Sequence, residues 1–176
     1  MNGREDFEAL LELLSVARNA VLRYPMSAVV DRTDHEGMTV SSKVHVEGLR
    51  RWSIEDHEDS ITCDPVDGCV IRTGHSVEVL GHHRPDWMPE EIQLFYPLGM
   101  RIWGGHQDNQ RITGAERTEN GIRLSMVYLE DEDYTAEALF DPDIGAIVDF
   151  CTASERLTVR NWRTDIRDQS GLAERA

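Results

Sequence analysis

The stretch FDPDIGAIVDF, Phe140 to Phe150, places two apolar runs on either side of a short polar turn. Asp141 and Pro142 are residue types that begin tight turns, and Gly145 can take the left-handed backbone conformation that closes one. The chain is therefore expected to enter this turn as one strand and to leave it as an antiparallel partner strand.

A second return lies just upstream of this stretch. The runs RITGAERT and GIRLSMVYLE are joined by Glu119-Asn120-Gly121. The Asn-Gly pair predicts a type I′ turn, because both residue types tolerate positive φ. Ile122, Leu124, Met126 and Tyr128 alternate with polar residues and predict one buried strand face.

The same strand-and-turn rhythm extends toward the N-terminus. SITC and CVIRTG flank the loop DPVDG and predict a hairpin, and HSVEVLG predicts a short strand after it. Farther upstream the apolar residues fall on even positions, which predicts one buried face of a long strand bent near Gly48. These residues are Met38, Val40, Val44, Val46, Trp52 and Ile54.

One helix is predicted, over residues 5 to 24. Its apolar residues recur at helical spacing, with acidic residues early and Arg23 late, as the helix dipole favours. Tyr24-Pro25 then ends the helix. The predicted packing stripe consists of Phe7, Leu10, Leu11, Leu14, Ala17 and Val21.

These patterns predict an α+β protein that is mainly antiparallel β. A strongly curved meander or incomplete β-barrel is expected over about residues 38–166, with the N-terminal helix packed on its concave or open side. The 176 residues are expected to form a single domain with a frayed tail at 168–176.

This order of elements resembles the LolA-like superfamily, which includes lipoprotein carriers, lipid-carrying lipoproteins and the sensor RseB. The matching features are the leading helix, GLRRWSIED at Gly48 to Asp56, the hairpin around Asp67-Gly68, FYPLGM, and the return ALFDPDIGAIVDF. The resemblance covers about residues 5–166. It implies an incomplete barrel around a hydrophobic cavity, and binding of a lipid or a protein.

The charge balance excludes several partners. Lys plus Arg total 18 against 33 Asp plus Glu, a formal net charge of −15, and this field repels nucleic acid and anionic membranes. No apolar run has membrane-spanning length, and the acidic N-terminus does not resemble a signal peptide, so a cytoplasmic location is expected. In that compartment Cys63 and Cys69 are expected to be thiols, although they could face each other across a hairpin.

The candidate chemical groups are weaker signals. His75, His82, His83, Asp86 and His106 suggest a metal site, but their spacing matches no zinc motif, so solvated loop histidines are favoured. Cys151 is expected to be a small buried core residue. The acidic clusters at residues 55–59, 130–133 and 141–143 lack the spacing of a calcium loop and are interpreted as turn residues. No metal, cofactor or catalytic residue is therefore predicted.

The middle of the chain holds the most suggestive segment, an aromatic and methionine-rich run between prolines, with a short helix expected near 97–103. It is either a plug that fills the sheet or the lining of a pocket, and the plug is favoured. If it is a pocket, the predicted lining is Trp52, Trp87, Phe95, Tyr96, Met100 and Trp103.

Two main functions follow from these features. The first is a non-enzymatic binding protein that holds an apolar small molecule, lipid, acyl group or peptide between the sheet and the middle segment. The second is an acidic interaction module, of the inhibitor or immunity type, that captures a basic protein. An enzyme that uses His106 or Cys151 is a third possibility, and it requires both residues in one cleft.

Overall fold

The computed structural model describes residues 3–20, 25–57, 59–80 and 88–164. Two helices and eleven strands follow one another in this part of the chain. They are α1 (Gly3–Ala20), β1 (Met26–Asp34), β2 (Thr39–Gly48), β3 (Arg51–Asp56), β4 (Asp59–Asp64), β5 (Gly68–Thr73), β6 (Ser76–Val79), α2 (Glu90–Gln93), β7 (Gln110–Thr118), β8 (Gly121–Tyr128), β9 (Thr135–Asp141), β10 (Ala146–Cys151) and β11 (Glu155–Thr164).

The strands form one antiparallel sheet in the order β6-β5-β4-β3-β2-β1-β11-β10-β9-β8-β7. The described part of the sheet ends at β6 on one side and at β7 on the other, so it is open and not a closed barrel. The predicted class, a curved and mainly antiparallel α+β fold, is confirmed. The two halves of the chain meet where β1 pairs with β11.

The central strand β1 was not predicted, because the sheet was expected to begin at residue 38. Met26, Ala28 and Val30 are buried along β1 and alternate with half-buried neighbours. This strand pairs with β2 on one side and β11 on the other. The period of two was present in the sequence, but the apolar half of the strand is short and begins directly after the proline that was taken to end the helix.

The predicted long strand bent near Gly48 is wrong. The chain instead reverses there, and β2 pairs antiparallel with β3, with Val46 opposite Trp52 and Val44 opposite Ile54. These four residues are buried as predicted, because a two-residue loop keeps even positions on one face through the reversal. Met38 and Val40 are 67% and 47% exposed, since Met38 precedes β2 and Val40 lies near its start, opposite Arg32 of β1.

The two late returns differ in how well they were predicted. At Phe140–Phe150 the predicted turn is confirmed: Gly145 has φ of 57° and its amide donates to the Asp141 carbonyl at 2.6 Å. The predicted type I′ turn at residues 119–121 is wrong. Asn120 does not have positive φ, whereas Gly121 has φ of 133°. Thr118 Oγ1 accepts from the Asn120 amide at 3.3 Å and so supports the turn by a side chain.

The face on which the helix packs matches the predicted stripe only in part. Ala17 is buried and Leu10 is partly buried as predicted, whereas the buried Ala9 and Leu13 were not in the predicted stripe. α1 lies along the edge strand β7 and buries Ala9, Leu13 and Ala17. The small Ala9 and Ala17 let the helix approach closely, so the larger residues of its wide apolar arc remain outside. Phe7, Leu11 and Leu14 are 59%, 48% and 39% exposed. Predicted helix residues 21–24 and the predicted tail at 168–176 lie outside the described residues.

The expectation of free thiols at Cys63 and Cys69 is also wrong. The two residues are directly opposite in the β4–β5 pair, with Cα atoms 4.1 Å apart, and they form a disulfide. Both are buried. The register of the hairpin, and not the compartment argument, determines this contact. Within the described residues no helix combines the length and apolarity needed to span a bilayer, and the predicted location stays a prediction.

The middle segment, which connects β6 to β7 in the sequence, packs into the core. It contains α2 and a 3-10 turn at Pro97–Gly99, instead of one helix at 97–103. Ile92, Leu94 and Ile102 are buried in the same cluster as the inner face of the sheet.

Candidate functional site

Most of the predicted lining residues are packed in the core. Trp52, Phe95, Tyr96 and Met100 are buried, and Trp103 is half-buried against the same cluster. Trp87 lies outside the described residues. The aromatic part of the middle segment thus has the packing expected of a plug.

Polar contacts fix this plug against the sheet. The Ile147 amide of β10 donates to the Leu94 carbonyl at 2.8 Å, at an irregularity in the β9–β10 ladder. Trp103 Nε1 donates to the Pro97 carbonyl at 3.0 Å. Burial raises the pKa of the Tyr96 phenol, which also hydrogen bonds to the Gly48 backbone. The first and third contacts hold the segment against β10 and β2, and the second joins two parts of the segment itself.

A cavity of about 330 Å³ remains between the plug and the sheet. Met100 is a predicted lining residue that it includes. Ile102, Tyr128, Phe150 and Leu157 add apolar surface from both sides of the space. The polar lining consists of Glu90, Gln93, Arg101, Asn109, Gln110, Thr152, Ser154 and Glu155. The cavity therefore combines a partly apolar wall with a polar mouth.

Gln110 is the buried polar residue of this cavity. It is the first residue of β7 and is only 5% exposed. Its side-chain Oε1 is buried and accepts no hydrogen bond from the described part of the chain. A buried amide oxygen is unfavourable without a donor, so this atom defines a position where a bound donor would be stabilised. The sequence signal was a glutamine two residues before Ile112, in the register of the inner face.

Carboxylates gather beside the cavity around one arginine. Arg32 Nη2 lies 3.0 Å from Glu90 Oε2 and 3.2 Å from Glu91 Oε1, and its Nε lies 3.5 Å from Glu155 Oε2. Burial first, and then the neighbouring Glu155 carboxylate, raise the pKa of Glu90. Three carboxylates thus share one cation, and the local charge is negative.

A second polar array lies on the outer face of the sheet. Ser27 Oγ is 3.0 Å from His45 Nδ1, and His45 Nε2 is 3.2 Å from Glu47 Oε1. The hydrogen bond from His45 lowers the pKa of Glu47, with Arg51 adding to the effect. Because an ionised carboxylate only accepts, Nε2 is the donor toward Glu47, and in the neutral ring Nδ1 is then the acceptor toward the Ser27 hydroxyl.

This array has the side-chain types of an acyl-transfer site but lacks its other parts. The Ser27 hydroxyl contacts His45 Nδ1 and not Nε2, which is the nitrogen that meets the hydroxyl in a serine triad. The array is best explained as a cross-strand polar network.

A groove of about 730 Å³ separates α1 from the β7–β8 hairpin. Five carboxylate residues line it, together with Arg117 and Arg123. They are Glu5, Asp6, Glu8, Glu12 and Glu116. Arg117 pairs with Glu12, which leaves the groove acidic beside the exposed apolar residues of α1.

Two of the other candidate chemical groups lie on the surface of the described part of the chain. Cys151, which was expected to be buried, is exposed at the end of β10, and His106 is exposed in the loop before β7. In the described ranges, no three His, Cys, Asp or Glu side chains are grouped as metal ligands. His82, His83 and Asp86 lie outside those ranges.

The described residues form an open, curved antiparallel sheet with the middle segment packed in its core, and several solved structures are similar to this chain. An uncharacterized conserved protein from Thermus thermophilus is 11% identical, with a TM-score of 0.53 over 88% of this chain and 86% of that chain. LprF from Mycobacterium bovis is 10% identical, with a TM-score of 0.40 over 88% and 92%. The Pseudomonas aeruginosa MucA/MucB complex matches at 11% identity, with a TM-score of 0.42 over 88% of this chain and 56% of that chain.

These likenesses concern the fold alone. The weak resemblance predicted from the sequence is confirmed at that level. No protein-family model matches the sequence, and no curated protein matches it significantly.

Proposed function

We propose that this is a non-enzymatic binding protein that holds a small, partly apolar ligand in the cavity beside Met100. The observation that carries the proposal is the 330 Å³ space left between plug and sheet. Its size lies at the lower end of the range for small-molecule sites, about 300 to 1,000 Å³. Apolar ligand surface buried against Met100, Phe150 and Leu157 would contribute about 25 cal/mol per Å².

The remaining predicted lining residues have a supporting role in this proposal. Trp52, Phe95 and Tyr96 would hold the plug, and with it Met100, in position behind the ligand. A rigid wall lowers the ordering cost that a mobile segment would add on binding. No bond is made or broken at such a site.

Blocking the mouth of the cavity tests the proposal. Asn109 is an exposed lining residue whose backbone, not its side chain, makes the contacts with Arg101 and Leu129. Protein isolated under non-denaturing conditions from its own cells is expected to retain a small molecule in native mass spectrometry. Asn109→Trp is expected to reduce occupancy about tenfold or more, whereas Asn109→Ala should retain it. Equal occupancy in both variants, or a bare wild-type protein, would contradict a ligand in this cavity.

The acidic interaction module is a second candidate, favoured by a different surface. Phe7, Leu11 and Leu14 expose one apolar helix face beside the acidic groove of α1. Such a face would suit a basic protein with apolar side chains at its centre.

This second candidate predicts capture that depends on both charge and apolar contact. Protein recovered with the wild-type chain from its own lysate should fall several-fold between about 0.05 M and about 0.5 M salt, because exposed charges are then screened. Leu11→Glu should abolish recovery, and Leu49→Glu, a similarly exposed leucine in the β2–β3 turn, should not. Recovery that is equal in the two variants would exclude the helix face.

A further inference from the structure

The cavity beside Met100 has two polar features that select for the same ligand group. Gln110 Oε1 is a buried acceptor without a donor from the described residues. Glu90 and Glu155 line the same cavity and share Arg32 with Glu91. The first feature requires a hydrogen-bond donor, and the second disfavours an anion.

Among the described residues, the ion pairs and the cavity lining bring two arginines to these carboxylates. Arg32 is already paired with three carboxylates, and Arg101, the other arginine at the cavity, is exposed. Three carboxylates therefore face two guanidinium groups, of which one is surrounded by water. A hydroxyl ligand could donate to Gln110 but could not offset this charge, whereas an ammonium group does both.

We propose that the ligand is a small primary or secondary amine with an apolar body, bound as the ammonium ion. This inference rests on the proposed function. Its N–H groups would donate to Gln110 Oε1 and to the Glu155 carboxylate. Its hydrocarbon part would lie against Phe150 and Leu157, which line the same space. Charge-assisted hydrogen bonds of this type are shorter and stronger than those of a neutral donor.

Three probes with a phenyl body and different head groups separate the alternatives: 2-phenylethylamine, 2-phenylethanol and phenylacetate. Titrations of the full chain followed by NMR of the Gln110 side-chain amide should show the amine binding about tenfold or more tightly than the alcohol. Phenylacetate should not bind. Glu155→Gln should weaken the amine about fivefold or more and leave the alcohol unchanged.

Matched variants distinguish a local effect from a change in net charge or in folding. Glu137→Gln removes the same charge from an exposed position on β9 and should leave amine affinity unchanged. Gln110→Met, which keeps the approximate shape but removes the acceptor, should weaken both the amine and the alcohol when titrations of this variant are followed by the backbone amide signals of β7. Thermal unfolding of each variant identifies any that fail to fold, and Glu90→Gln is the second charge variant if Glu155→Gln does.

The outcomes for the ligand class and for the site are distinct. If the alcohol binds as tightly as the amine, or Glu137→Gln acts as Glu155→Gln does, the amine inference is overturned and the binding function stands. If none of the three probes shifts the Gln110 amide, the amine inference is overturned. A retained molecule in native mass spectrometry would in that case still support the binding function.

Discussion

Replacing Trp52 by alanine is expected to lower the free energy of unfolding by about 3 to 5 kcal/mol. Trp52 is 1% exposed and lies opposite Val46 on one neighbouring strand and Cys63 on the other. Its removal leaves a void that rigid neighbours cannot fill, including the disulfide-linked hairpin beside it. Denaturant unfolding followed by far-UV circular dichroism measures the change.

The same variant separates a core residue from a ligand wall. Trp162→Ala serves as the control, because Trp162 is 44% exposed on β11 and should cost less than about 1 kcal/mol. If Trp52 lined an open pocket, its loss would cost little stability and would mainly weaken ligand binding. A Trp52→Ala protein as stable as Trp162→Ala would show that the plug does not pack on β3.

The period of two predicted the buried faces of strands better than it predicted their connections. Val44, Val46, Trp52 and Ile54 are buried as expected, although they belong to two strands of a hairpin and not to one. A tight two-residue reversal preserves the parity of side chains, so alternation alone cannot distinguish it from a bend. Only turn chemistry can, and Leu49-Arg50 carries no turn signal of its own.

The helix illustrates a second limit of sequence patterns. Apolar residues occupy a wide arc of α1, and spacing alone does not determine which side faces the protein. The structure selects Ala9, Leu13 and Ala17, whose mostly small side chains fit beside β7. Large side chains were predicted to be buried because the burial of each one is favourable by itself. Which face of α1 is buried depends instead on how closely the whole helix can pack against β7.

The candidate site was predictable only in part. Met100 was predicted as a lining residue because methionine suits adaptable walls, and it does line the cavity, although its role in binding stays a prediction. Gln110 and the carboxylates around Arg32 come together from β1, α2, β7 and β11, which are far apart in sequence. No local spacing connects them, so the tertiary pairing of β1 with β11 was needed to reveal the cluster.

Replacing Gly121 by alanine is expected to lower the free energy of unfolding by about 3 kcal/mol or more. A Cβ atom at this position would lie 2.3 Å from the Phe140 carbonyl oxygen and 3.2 Å from its carbonyl carbon. The obstacle is the backbone of β9, so no side-chain rotation relieves it. The backbone at Gly121 also has φ of 133°, which side chains other than glycine rarely adopt.

Two other glycines separate these two contributions in the same denaturant measurement. Gly37 has φ of 84° with open space around its Cβ position, so Gly37→Ala reports the conformational cost alone, about 1 kcal/mol. Gly114 would place its Cβ 3.9 Å from Ser125, an ordinary contact, and Gly114→Ala should change stability by less than about 1 kcal/mol. The loss in free energy of unfolding should be larger for Gly121→Ala than for Gly37→Ala. That difference measures how closely β9 approaches the β7–β8 turn. If the two losses are equal, the β8–β9 register does not bring Phe140 over Gly121. The pairing of Ile122 with Phe140, which places Ile122 on the inner face, would then be contradicted.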